Sequence, residues 1–112
     1  MAPYSRKFEV TGKPPTPVTA TGKAGSTATV QCPAGARILN VPRVSYGADG
    51  CSSGGAQYVV ETRCLLQREC EVPVDDMILD PTQYTCRGVA VEDKVLHIEA
   101  ECGSLSALPC SP

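Results

Sequence analysis

Tryptophan is missing from this 112-residue sequence, phenylalanine occurs once and tyrosine four times. With so few rings, the core falls to Val, Ile, Leu, Ala and cysteine sulfur. Histidine occurs once, as His97, which leaves a single imidazole for acid–base or metal chemistry. No two cysteines form a Cys-x-x-Cys pair, so the close ligand pairs of structural zinc sites are missing too. No apolar run approaches the roughly 18 residues a membrane-crossing helix needs. Charge is nearly balanced, 10 Lys+Arg against 12 Asp+Glu for a net −2, which offers no basic face to nucleic acid or an anionic membrane. No Asp/Asn/Glu cluster has calcium-loop spacing. Gly-rich phosphate loops, catalytic carboxylate pairs and nucleophile–base arrangements are equally absent. The expectation is a non-catalytic domain with no cofactor and no metal, binding neither nucleic acid nor membrane.

Cysteine, by contrast, is abundant: seven residues, at positions 32, 51, 64, 70, 86, 102 and 110. A short single domain buries a modest core, and cross-links then carry much of its stability. Disulfides formed in an oxidising compartment are the economical reading, which predicts an extracellular or secretory-pathway protein. The start, MAPYSRKFEV, lacks the apolar core of a secretion signal, so the chain reads as a domain excised from a longer protein with Met1 added. The odd count leaves at least one sulfur unpaired or paired outside the chain. Cys110, in the tail GSLSALPCSP, is the candidate.

Residues 1–17 carry Gly12, Pro14, Pro15 and Pro17 among Thr and Lys and read as a linker or loose arm on which Phe8 and Val10 could dock. From Ser26 to Cys32, Ala28, Val30 and Cys32 alternate with Thr27, Thr29 and Gln31, the pattern of a half-buried strand. Ala36 to Tyr46 predicts another, with Pro42 forcing a bulge or an edge. Ser53 is the expected N-cap of a helix in which Ala56, Val59, Val60 and Cys64 share one face, with Gln57, Glu61 and Arg63 pointing away. Cys70–Val74 reads as a short edge strand. Asp75 to Gly88 reads as a long irregular loop, with Asp75-Asp76 capping a turn. The last strand sets Leu96, Ile98, Ala100 and Cys102 inward, with Lys94 at the mouth of that face and His97 solvated on the other. Residues 103–112 read as a flexible tail.

Several pieces of this pattern occur together in one family. They are Gly25-Ser26-Thr27, Cys32-Pro33, Ser45-Tyr46-Gly47 and the twelve-residue gap between Cys51 and Cys64. They continue with Cys64/Cys70 leading into Val72-Pro73-Val74, then Cys86-Arg87-Gly88-Val89 and Lys94-Val95-Leu96 running to Cys102. Taken in order, they resemble the sea-urchin-egg-lectin type of rhamnose- or galactose-binding domain, found in fish egg lectins, latrophilin receptors and the C-terminus of plant β-galactosidases. The plant form is the nearest in pattern, and the resemblance covers about residues 19–102, within a domain drawn at 18–102.

The resemblance implies an α+β, mostly β fold: antiparallel strands in two sheets with one main helix, stapled by Cys32–Cys102, Cys51–Cys86 and Cys64–Cys70. It implies calcium-independent binding of galactosides, rhamnosides or cell-wall polysaccharide by a module appended to a β-galactosidase. Tyr46, Asp80, Arg87, Gly88 and Lys94 are the implied sugar-binding residues. The chain departs from the family's pattern where Ala24 replaces an acid, Ala48 replaces an arginine, and TQYT separates Asp80-Pro81 from Cys86. The family's fourth bridge is also missing both partners. These losses keep open a second expectation, a protein-interaction module on the same framework with the sugar pocket gone. A small protease inhibitor, with Cys64–Cys70 as its rigid loop, is a third.

Overall fold

The computed structural model describes residues 15–48, 51–81 and 88–104. The domain is mostly β, with antiparallel strands in two sheets and one main helix, as expected. In chain order the elements are β1 (Thr16–Lys23), β2 (Thr27–Gln31), β3 (Arg37–Gly47), α1 (Gly55–Cys64), β4 (Glu69–Pro73), α2 (Asp76–Leu79), a 3₁₀ turn (Val91–Asp93) and β5 (Val95–Gly103). One sheet has the order β1-β5-β3, and the other pairs β2 with β4.

Alternation decides which face of each strand is buried. Leu96, Ile98, Ala100 and Cys102 of β5 are buried, while His97 and Glu99 are exposed on the opposite face. In the small sheet Ala28 stands opposite Val72 and Val30 opposite Cys70, all four buried. These two inner faces and Ala56, Val60 and Cys64 of α1 belong to one core cluster, with Val59 packed at its margin. The register of β3 with β5 slips between Ile38 and Asn40 and again between Asn40 and Arg43, and the second slip spans Pro42, which has no N–H to give the ladder.

Four local expectations change. β1 reaches back to Thr16 and Pro17, which the sequence reading placed in a linker, because Val18, Ala20 and Gly22 pair with Ala100, Ile98 and Leu96 on the core side of the sheet. Gly22 is needed there, since a Cβ would stand 3.0 Å from both Ser26 Oγ and Val74 Cγ2. Ser53 does not cap α1. Gly54 occupies that position, and the buried Ser53 hydroxyl donates to the Leu79 carbonyl at 2.6 Å, tying the start of α1 to α2. Gln57 does not point away either, since its amide reaches the Val41 carbonyl at 2.7 Å. The loop expected from Asp75 contains the short helix α2. The expectations for Phe8, Val10 and Cys110 lie outside the described residues.

Cys32–Cys102 joins the end of β2 to β5, and Cys64–Cys70 links the end of α1 to β4, both as the resemblance implies. Cys51 is also disulfide-bonded; its expected partner, Cys86, lies outside the described residues. The short Cys64–Cys70 loop is further held to β3, with the Leu66 amide donating to Ile38 and the Ile38 amide donating to Gln67.

The bridges span 70 and 6 residues. Loop-closure entropy then assigns about 4.4 kcal/mol to the long one and about 2.2 kcal/mol to the short one. In denaturant unfolding, C32A/C102A is expected to lower the midpoint far more than C64A/C70A. Equal losses would mean that native contacts, rather than chain closure, set the contribution of each bridge.

Candidate functional site

Lys94 lies between the 3₁₀ turn and β5, and its amide donates to the Val91 carbonyl at 3.0 Å. Strand alternation carries its side chain to the inner face, where the residue is only 2% exposed. An ammonium stripped of water is costly unless paired. Here Nζ donates to Asp76 Oδ1 at 2.8 Å and to Asp80 Oδ2 at 3.2 Å. The two acids come from one turn of chain: Asp76 opens α2 and Asp80 follows it, its amide donating to the Asp76 carbonyl at 2.9 Å. Asp75, one residue earlier, is exposed and caps α2 through its side chain, which accepts the Met77 amide hydrogen at 2.9 Å.

Tyr46 completes the cluster from β3. It is fully buried, and its hydroxyl donates to the same Asp76 Oδ1 at 2.9 Å. The Lys94 ammonium stands 5.8 Å from the centre of its ring, within cation–π reach. Burial, then the hydrogen bond and charge of Asp76, push the Tyr46 phenol well above its ordinary range. Lys94 is raised as well, chiefly by its bond to Asp76, with desolvation opposing. The phenol therefore stays neutral and the amine charged, so two carboxylates and one ammonium leave the cluster one unit negative.

Above this cluster lies an open concavity of about 460 Å³, whose lining includes Ala24, Ser26, Val74, Asp75, Asp76 and Val91. Its walls are stitched to the cluster through the backbone. The Ala24 amide donates to the Lys94 carbonyl at 3.1 Å and Gly25 to Val74 at 2.8 Å, while Val74 donates back to Ser26 at 2.8 Å. Gly25 takes φ +93°, the left-handed conformation that closes this turn. A larger concavity lies elsewhere, between β3, β5 and Gly88, with Ser45, Asp93 and His97 in its lining.

Three of the expected site residues, Tyr46, Asp80 and Lys94, therefore meet in space. Gly88 lines the other concavity, and Arg87 lies outside the described residues. Asp76 is the member the sequence reading missed. The Asp75-Asp76 doublet read as a turn cap, and only Asp75 caps. A signal was present, since a lysine in phase with Leu96, Ile98 and Ala100 faces inward and requires a buried acid. Among the described residues no group of three His, Cys, Asp or Glu side chains is arranged to hold a metal ion, and no helix there is long and apolar enough to cross a membrane. The sequence matches no family model and no curated protein.

Removing the cation while keeping its partners should be costly. Lys94→Met is expected to lose about 3–5 kcal/mol at neutral pH, since it strands two buried carboxylates. In urea unfolding that deficit should shrink when Asp76→Asn and Asp80→Asn are added, because the stranded charges are then gone. An unchanged deficit would show that lost packing, not charge, is responsible. The upward shifts of Tyr46 and Lys94 mean that the folded state holds both protons more tightly than the unfolded chain. Their contribution is whole below the ordinary values of 10.0 and 10.5 and is lost as the pH rises through the folded ones. Thermal unfolding should therefore shift down above about pH 10, less steeply in Tyr46→Phe.

Proposed function

We propose that this chain is an extracellular carbohydrate-binding module of the sea-urchin-egg-lectin type, non-catalytic and calcium-independent, which holds galactose- or rhamnose-type sugars in the concavity beside Ala24, Asp75, Asp76 and Val91. The observation that carries this reading is the Tyr46–Asp76–Lys94–Asp80 cluster beneath it. Buried ion pairs contribute little to stability compared with well-packed apolar residues of similar volume. A net-negative cluster behind an open concavity in so small a domain is better accounted for by recognition, where perturbed groups tend to gather. Fixed carboxylates next to apolar walls suit a sugar, whose hydroxyls need acceptors and whose C–H faces need apolar contact. The two-sheet architecture and the Cys32–Cys102 and Cys64–Cys70 bridges are what the resemblance implies, and they support it further.

In this reading Tyr46, Lys94 and Asp80 hold Asp76 in place and do not themselves touch the sugar. Ala24 supplies no acceptor where the family's pattern has one, so affinity falls in the millimolar range, about −4 kcal/mol. Titration of labelled protein with galactose, rhamnose, galactan and pectic oligosaccharides should move the amide signals of Ala24, Ser26, Asp75 and Asp76. Silence with every sugar at tens of millimolar would remove the proposal.

A protein-interaction role is favoured by a different observation. Leu65 and Leu66 are exposed on the loop stapled by Cys64–Cys70, and Leu66 is held at φ +68°, a conformation that strains a bulky residue. A pull-down partner lost on Leu66→Asn would support that role, and recovery of no partner would dismiss it.

A further inference from the structure

The charges around the concavity determine which sugars can enter. Two titratable side chains stand in its lining, Asp75 and Asp76, and both are acids; no lysine, arginine or histidine is among its described lining residues. Behind them lie Asp80 and Lys94. The ammonium of Lys94 cannot turn outward to meet a ligand, because two carboxylates hold it and the residue is 2% exposed. Asp75, Asp76, Asp80 and Lys94 together leave the site two units negative. Ala24, Val74 and Val91 provide the apolar part of the lining, and low-dielectric walls concentrate such a field rather than screening it.

We propose that this concavity selects a sugar bearing an ammonium group over a neutral one and rejects a sugar bearing a carboxylate: an amino sugar before a uronate. The inference rests on the carbohydrate reading and refines it. An ammonium on the ring meets the exposed Asp75 carboxylate at the rim, with Asp76 and Asp80 adding to the attraction from behind. The ring's C–H face lies against Val91, which is exposed at the same rim. A uronate carboxylate in that position faces acids and finds no free cation among the described lining residues. An exposed pair in water gives only a modest preference, so the advantage of the amine over the neutral sugar is about twofold to fivefold, with the uronate weaker than both.

The test is a titration of labelled protein with galactosamine, galactose and galacturonate at about pH 6, where the sugar amine is protonated and exposed carboxylates are ionised. The order expected is galactosamine, then galactose, then galacturonate, with the spread narrowing at high salt. Asp75→Asn retains an α2 cap, since Asn also accepts at that position. It should reduce the galactosamine-to-galactose ratio by about twofold. Galacturonate binding as tightly as galactosamine, or a ratio unmoved by Asp75→Asn, overturns this inference and leaves the carbohydrate reading intact. Silence with all three sugars overturns this inference, and silence with rhamnose, galactan and pectic oligosaccharides as well overturns the carbohydrate reading.

Discussion

Lys94 has to keep its charge after losing its water, and much of this domain is arranged to let it. The ammonium is reached by Asp76 of α2 and by Asp80 just after it and stands over the ring of Tyr46 from β3, while its own backbone leads into β5. Three segments distant in sequence therefore converge on one atom. A buried charge tolerates no loose partner, because each missing bond exposes the whole desolvation penalty. The cluster consequently fixes where α2 lies against the larger sheet, and the β1–β2 turn is bonded to the same lysine through Ala24.

That arrangement depends on a frame the domain cannot obtain from rings. Its core consists of small aliphatic residues and sulfur, with Tyr46 the one large aromatic in the described core. The Cys32–Cys102 bridge joins the two sheets, and the Cys64–Cys70 bridge holds the end of α1 to β4. Cross-links act mainly on the unfolded chain, so they steady the fold without adding bulk inside it. The Ser53 hydroxyl, which donates to Leu79 rather than capping its own helix, ties α1 to the helix that supplies the acids.

The concavity inherits its character from what lies beneath it. Had Lys94 been exposed, the site would offer a mobile cation and accept anions. Buried between two acids, it supplies rigidity instead, and the surface a ligand meets is acidic with apolar sides. Tyr46, a candidate contact residue on sequence grounds, works from inside as a hydrogen-bond donor to Asp76. The exposed acid at the rim is Asp75, a residue whose sequence signal was only that of a turn.

Local patterns were enough to identify β2, β3, α1, β4 and β5, because alternation and helical spacing are properties of neighbouring residues. Pro42 announced a disturbance in β3 for the same reason: its ring and missing N–H act on the strand that contains it. The pairing of cysteines came from a resemblance, since spacing alone leaves connectivity open. What the chain's own order could not determine was how distant segments meet. β1 carries a weak pattern and exists as a strand because β5 offers it a partner. Asp76 reads like any turn acid until folding brings it within 2.8 Å of Lys94. Strand phase says that a lysine points inward, but only the packed tertiary structure specifies which carboxylates receive it, because a buried charge is satisfied by geometry in space and not by position along the chain.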